Sequence, residues 1–243
     1  MRHLEFSING KTVSVNVPEH WHEMSEKQFK AVCRISNKEI DDATFYSEFF
    51  GIPVEWVNSI DLYYFYVLNS LLGFTRDVEA FSGFLVAKVG DFVAPQPNLS
   101  GMSFHQFMTI DTFFTWYLQT NKDAFLDKMC STMYLLTCDD FSKLDLDARA
   151  EEWAKVDMSD KYALLISWTI IKKWLSKGYP YLFPKGDDDA HQHGSKKISN
   201  TWLEIFDTLV QEDLSKIEAY KKVEAMDVIR IVNRRIKEQK HKK

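Results

Sequence analysis

The residues best suited to chemistry are concentrated in the stretch GDDDAHQHGS, at positions 186–195. Carboxylate oxygens and imidazole nitrogens, both abundant here, are common ligands of divalent metals. The run lacks the calcium-loop pattern, and no HExxH pair occurs in the chain. Glycine and serine surround the run, so a solvated loop is the favoured interpretation and a metal-dependent enzyme is the remote alternative. The candidate metal ligands are Asp187, Asp188, Asp189, His191 and His193.

The cysteines and the remaining acidic pairs give weaker chemical signals. Cys33, Cys130 and Cys138 form an odd set without a C-x-x-C pair, which favours reduced cysteines in the core over a disulfide or zinc site. Acidic residues at 139–140 and 145–147 fall in a connector, where helix capping is the usual role. There is no glycine-rich phosphate loop, G-x-S-x-G or credible triad. The sequence therefore predicts a protein that is not an enzyme and has no cofactor.

The N-terminal residues predict a β-hairpin. Apolar and polar residues alternate along residues 4–8 and again along 13–17. Asn-Gly at 9–10 separates the two runs, and it is the favoured two-residue turn because both positions need a positive φ. This turn pairs Ile8 with Lys11 and gives the hairpin one apolar face.

The phrase Met-Ser-x-x-Gln-Phe occurs twice, at residues 24–29 and 102–107. In each copy the serine is placed to cap a helix, and the glutamine three residues later completes a capping box. The methionine and phenylalanine occupy the positions of a hydrophobic staple. We interpret the phrase as a helix-start signal. A hairpin, a proline and a short loop precede both copies, so a duplicated module and simple convergence are both open hypotheses.

The rest of the chain predicts a mainly α-helical protein with an α+β N-terminus. A second small hairpin is predicted near 84–94, where Gly90-Asp91 offers a turn. Apolar residues recur at steps of three and four over 107–117, 126–136, 164–175 and 229–236. The apolar run 62–72 predicts a broad buried helix. The fold class is therefore a helical body with one or two small β-hairpins.

Changes in composition divide the chain into three predicted parts. Residues 1–178 form the main helical body, and residues 179–199 form a polar loop rich in turn residues. Residues 200–243 form a C-terminal helical unit with a basic tail, and its last residues, 237–243, are predicted to fray.

Bulk composition restricts the class of partner. The chain of 243 residues is 45% hydrophobic and 14% aromatic, which is ample for a packed core. Its net charge of −5 argues against a nucleic-acid partner. No apolar run reaches the roughly 20 residues that cross a bilayer, and the N-terminus lacks a signal-peptide core. We therefore expect a cytoplasmic protein without a membrane partner, and a homo-oligomer could form.

Several longer phrases carry a resemblance to a known group of proteins. The phrases are NGKTVSVNVPEHWHEMSEKQF, APQPNLSGMSFHQFMTIDTFF, GYPYLFPKG and TWLEIFDTLV. They resemble small helical proteins encoded among the tail and structural genes of tailed phages and prophages, often interpreted as tail assembly chaperones or accessory assembly proteins. The resemblance covers about half the chain and implies no catalytic residues.

This resemblance implies non-enzymatic binding to another phage structural protein, such as a tape-measure or tail protein, in the cytoplasm of the host cell. The alternative is a permanent virion component, such as a connector or completion protein, located in the virion. A surplus of aromatic residues on the helix near 104–117 could supply the binding surface, with a wide buried face as the competing explanation. The candidate partner-binding residues are Phe104, Phe107, Phe113, Phe114, Trp116 and Tyr117.

Overall fold

A computed structural model describes residues 1–8, 10–183, 202, 205 and 216–241. Across these residues the protein is mainly α-helical, with two antiparallel sheets of two strands each, which confirms the predicted fold class. The helices are α1 (Glu26–Ser36), α2 (Asp42–Phe50), α3 (Val54–Val57), α4 (Leu62–Leu71), α5 (Phe104–Thr120), α6 (Asp123–Met133), α7 (Leu146–Trp153), α8 (Met158–Gly178), α9 (Ile217–Lys222) and α10 (Ala225–His241). Short 3-10 turns lie at Trp21–Glu23, Leu72–Arg76, Pro97–Leu99 and Phe141–Lys143.

The N-terminal hairpin has the predicted register. Strands β1 (Arg2–Ile8) and β2 (Lys11–Val17) pair antiparallel, with Ile8 opposite Lys11. Gly10 takes a positive φ of 74°, as the two-residue turn requires. Phe6, Ile8 and the three valines of β2 are buried and Leu4 is half-buried, whereas the alternating polar residues are exposed. One face of the hairpin therefore packs on the helices.

The two Met-Ser-x-x-Gln-Phe phrases begin helices as predicted, but only the first forms a full capping box. Ser25 and Gln28 exchange both hydrogen bonds at the start of α1. Ser103 Oγ accepts a bond from the backbone N–H of Gln106 at 3.2 Å. The Gln106 side chain, however, donates to the carbonyl of Thr132 at 2.9 Å and ties α5 to α6.

The C-terminal segment covers the start of α5. The backbone N–H of Phe104 donates to Val223 O at 2.7 Å, and that of Ala225 donates to Met102 O at 2.9 Å. Apolar residues of α10, including the fully buried Ile229, join the core of the body. The described part of the predicted C-terminal unit therefore packs on α5.

The described start of the predicted polar loop, residues 179–183, consists of turns and a bend, and the backbone N–H groups of Tyr181 and Leu182 both donate to Asn233 Oδ1 at 3.0 Å. One prediction for the C-terminal region needs correction. Residues 237–241, predicted to fray, continue helix α10. Lys237 and Lys240 lie over the ring of Tyr181, and this packing extends the helix.

The second hairpin lies where the sequence predicts it. Strands β3 (Lys88–Val89) and β4 (Phe92–Val93) flank Gly90, whose φ is 58°. Val93 and Leu135 exchange backbone hydrogen bonds of 2.9 and 3.3 Å, which attach this hairpin to the segment after α6.

Among the described helices, none is both long and apolar enough to traverse a lipid bilayer.

Candidate functional site

Most of the aromatic residues predicted to bind a partner lie inside the core. Phe104, Phe107, Phe114 and Tyr117 are buried on α5. The rings of Phe104 and Phe107 pack against Trp202, and the Tyr117 hydroxyl group donates to that of Tyr162 of α8 at 3.3 Å. A partner cannot reach these four rings in this conformation. They form the wide buried face of α5, which was the competing explanation. Their predicted role in partner binding is corrected accordingly.

The other two predicted residues lie at the surface of the same helix. Phe113 and Trp116 are half-buried and form a three-ring cluster with Phe125 of α6, with ring centroids 5.3 to 6.5 Å apart. The Lys128 ammonium group lies 5.8 Å from the Phe113 ring centroid. A partner-binding role for Phe113 and Trp116 stays a prediction.

Helix α4 carries the apolar surface that the sequence did not predict. Leu62, Tyr63 and Tyr66 expose 67%, 69% and 64% of their surface. Of the six exposed large hydrophobic side chains in the described part of the chain, these three fall within five residues. We call them the α4 patch. The expectation of a helix buried on several sides over residues 62–72 is therefore wrong.

The α4 patch is exposed because, among the described residues, the ring contacts of α4 with other elements lie on its opposite side. Tyr64 stacks on Phe6 of β1 with ring centroids 5.8 Å apart, and Phe65 packs on Tyr46 of α2 at 4.9 Å. Leu68 is the one buried residue of α4. Since residues four apart share a helix face, Leu62 and Tyr66 form a continuous outward stripe.

An apolar groove adjoins the α4 patch along strand β1. It has a volume of about 160 Å³. Its lining comes from β1 and α4: Leu4, Glu5, Phe6, Tyr63, Tyr64, Val67 and Leu68. Glu5 and Tyr63 are its exposed members, and Tyr63 also belongs to the α4 patch. The groove and the patch therefore form one connected surface.

The candidate metal ligands Asp187, Asp188, Asp189, His191 and His193 lie outside the described residues. The described ranges contain no group of three or more His, Cys, Asp or Glu side chains placed to hold a metal ion. The metal hypothesis therefore stays a prediction about the 186–195 stretch alone.

The cysteines differ in environment. Cys33 and Cys130 are buried, in agreement with the sequence interpretation, whereas Cys138 is exposed, which corrects it. Burial raises the pKa of Cys33 to about 12 and also raises the pKa of Cys130. Both buried thiols stay protonated near neutral pH, so neither is an activated nucleophile.

Two of the four acidic residues of the connector, Asp140 and Asp145, cap helices as predicted, whereas Asp139 and Asp147 pair with Arg149 and Lys128. Asp145 Oδ1 accepts backbone N–H bonds from Asp147 and Ala148 at the start of α7, both at 3.1 Å. Asp140 Oδ1 accepts bonds from the hydroxyl group of Ser142 at 2.7 Å and from its backbone N–H at 3.0 Å, and these two bonds lower the pKa of Asp140. The capping geometry accounts for these carboxylates without a catalytic role.

Two buried carboxylates have partners that the sequence did not reveal. Asp127 of α6 pairs with Lys161 of α8 at 2.8 Å, and both are buried. Asp111 of α5 accepts hydrogen bonds from the Lys172 ammonium group and from the indole N–H groups of Trp168 and Trp202. We call these four residues the Asp111 anchor. The Asp127–Lys161 pair links α6 to α8, and the Asp111 anchor links α5 to α8. Both carboxylates therefore bond to other side chains of this chain.

A charged cleft lies between α1 and the start of α8, with a volume of about 560 Å³. Lys30 bridges Glu26 and Asp160 at 2.9 Å each. Arg34 binds both carboxylate oxygens of Glu48 at 2.6 and 2.8 Å. Because these cations are already paired, the cleft is an ion-pair network that joins helices.

The α4 patch and its groove thus remain the surface with the strongest functional character. Comparison with family models, curated proteins and solved structures gave no significant match.

Proposed function

We propose that this chain is a non-enzymatic protein-binding factor of phage assembly, with a role like that of a tail assembly chaperone. The observation that carries the proposal is the α4 patch, with two tyrosines and a leucine exposed within five residues. Clustered exposed apolar groups mark protein contact sites, and tyrosine is enriched at such sites. The resemblance of the longer sequence phrases to phage assembly proteins supplies the biological setting.

The chemistry of the patch favours an amphipathic helix as the bound element. Leu62 and Tyr66 lie four residues apart on one face of α4, so their side chains form a stripe along the helix axis. An apolar stripe on a partner helix can pack against this stripe, as in helix-in-groove recognition. A tape-measure or tail protein would present such a helix before it enters the assembled tail.

The proposal predicts that the double substitution Leu62→Ser/Tyr66→Ser abolishes binding to the structural partner. Both side chains are exposed, so the folded state should lose little stability. The measurement is quantitative recovery of phage structural proteins with the tagged chain from particle-producing cells. The matched control is Leu118→Ser, because Leu118 is an equally exposed leucine (62%) on α5, outside the patch.

The result expected is loss of one structural protein with the double variant and normal recovery with Leu118→Ser. Unchanged recovery with the double variant would contradict the proposal.

The amount of this chain in purified particles separates the two assembly roles. A chaperone-like factor is abundant in the lysate and absent from particles, whereas a permanent virion component has a fixed copy number in them.

A further inference from the structure

The outer edge of strand β1 has unpaired backbone groups. Ile8 and Lys11 close the two-residue turn as a hydrogen-bonded pair, and such pairs alternate along an antiparallel ladder. The backbone N–H and C=O groups of His3, Glu5 and Ser7 therefore point away from β2. No hydrogen bond reaches them from the described residues. An edge of this kind is a template for another strand.

The edge of β1 differs from the edge of β2 in what lies beside it. The apolar groove runs along β1 and is formed with α4. Strand β2 instead contacts α2. A strand added to β1 would gain both backbone hydrogen bonds and apolar contact, which makes β1 the better template.

We propose that the β1 edge binds β1 of a second copy of this chain, forming a two-fold symmetric dimer with a four-stranded sheet. Strand β1 supplies the alternation that such a site requires. Its apolar side chains fall on the core face and its polar side chains on the other. This inference goes beyond the proposed function and does not depend on it.

Charge selects one register for this pairing. Placing Leu4 opposite its own copy puts His3 opposite Glu5 on both sides of the two-fold axis. An imidazole then faces a carboxylate of the other copy twice, which adds a cross-strand pair to the His3–Glu5 contact of 3.4 Å within each chain. Shifting the axis to Glu5 would place two carboxylates opposite each other, which destabilises a sheet. Shifting it to His3 would place two imidazoles opposite each other, without the attraction of an imidazole to a carboxylate.

The same register uses the groove. Leu4 is half-buried and lines the groove together with Tyr63. With Leu4 opposite its copy, the two leucines meet as a close, non-hydrogen-bonded pair on the core face. The flanking His3–Glu5 pairs each exchange two backbone bonds, so they supply about four hydrogen bonds. The contact between the two leucines and the backbone hydrogen bonds thus favour the same register as the His3–Glu5 pairs.

The test is the mass in solution of the full chain, measured by light scattering over a concentration series. The wild type is expected to approach twice the 28.5 kDa of the monomer as concentration rises. Glu5→Pro removes the central edge donor and should leave only monomer. The matched control is Thr12→Pro, the same change on the outer edge of β2, which should leave the dimer intact.

A second set of variants tests the register with exposed side chains alone. Glu5→Lys replaces the carboxylate partner of His3 and should shift the dissociation constant upward at least tenfold. Exchanging the two residues, as His3→Glu/Glu5→His, restores an imidazole opposite a carboxylate and should recover most of the affinity. This set decides the question if a proline variant fails to fold, as checked by circular dichroism.

Three outcomes would overturn the inference. They are a wild type that stays monomeric at its highest soluble concentration, a dimer that Glu5→Lys does not weaken, and an exchange variant no tighter than Glu5→Lys. None of them would change the client-recovery result for the Leu62→Ser/Tyr66→Ser variant, so failure here is distinguishable from failure of the proposed function.

Discussion

Replacing Lys161 with methionine is expected to lower the free energy of unfolding by about 3–5 kcal/mol. The Lys161 ammonium group lies 2.8 Å from Asp127 Oδ1, and the two residues are only 3% and 8% exposed. Removing the ammonium group leaves the buried Asp127 carboxylate without its charge partner. Urea unfolding followed by circular dichroism measures the change.

Two controls show whether burial of the unpaired charge is the cause. The double variant Lys161→Met/Asp127→Leu removes both charges and should recover most of the stability. Lys143→Met breaks the exposed pair with Asp140, 3.2 Å long, and should change the free energy of unfolding far less, because solvent screens exposed charges. A Lys161→Met variant no less stable than Lys143→Met would show that the buried pair does not hold α6 to α8.

Asp111→Ala is expected to cost a similar amount, about 3–5 kcal/mol, because it removes the Asp111 anchor. The Asp111 carboxylate is 4% exposed and lies 2.8 Å from the Lys172 ammonium group. It also accepts the indole N–H of Trp168 at 3.2 Å and of Trp202 at 2.6 Å. One substitution therefore leaves one ammonium group and two indole donors without their acceptor.

The Asp111 anchor also has a structural readout. Urea unfolding gives the free energy, and the indole N–H signals of Trp168 and Trp202 in an NMR spectrum report loss of their acceptor. Trp202→Phe removes one of the three bonds and is the matched control, with an expected loss of about 1–3 kcal/mol. If Asp111→Ala cost less than Trp202→Phe and left both indole signals unshifted, the anchor would have no role in stability.

Local structure could be predicted well from the residues themselves. The Asn-Gly turn and the alternation on either side of it gave the correct pairing of Ile8 with Lys11. Ser25 and Gln28 formed the expected capping box. Turns, caps and strand alternation depend on neighbours within a few positions, so the sequence contains the relevant information.

Features that depend on distant parts of the chain could not be predicted. Helix α4 has a higher share of apolar residues than α5, yet Tyr66 of α4 is 64% exposed and Phe107 of α5 is fully buried. The difference is the number of covering elements, because α5 contacts α6, α9 and α10, whereas α4 packs on one side. Gln106 does not complete its capping box, because its side chain donates to the carbonyl of Thr132, 26 residues away in sequence.

The measurement that tests the proposed binding surface most directly is site-specific photocrosslinking in particle-producing cells. A photoreactive phenylalanine derivative replaces Tyr66 in one culture and Leu118 in another, two positions with nearly equal exposure of 64% and 62%. The α4 patch predicts one main adduct with a phage structural protein from position 66 and little from position 118. Equal adducts at the two positions, or none at position 66 while particles form, would contradict the assignment of this surface.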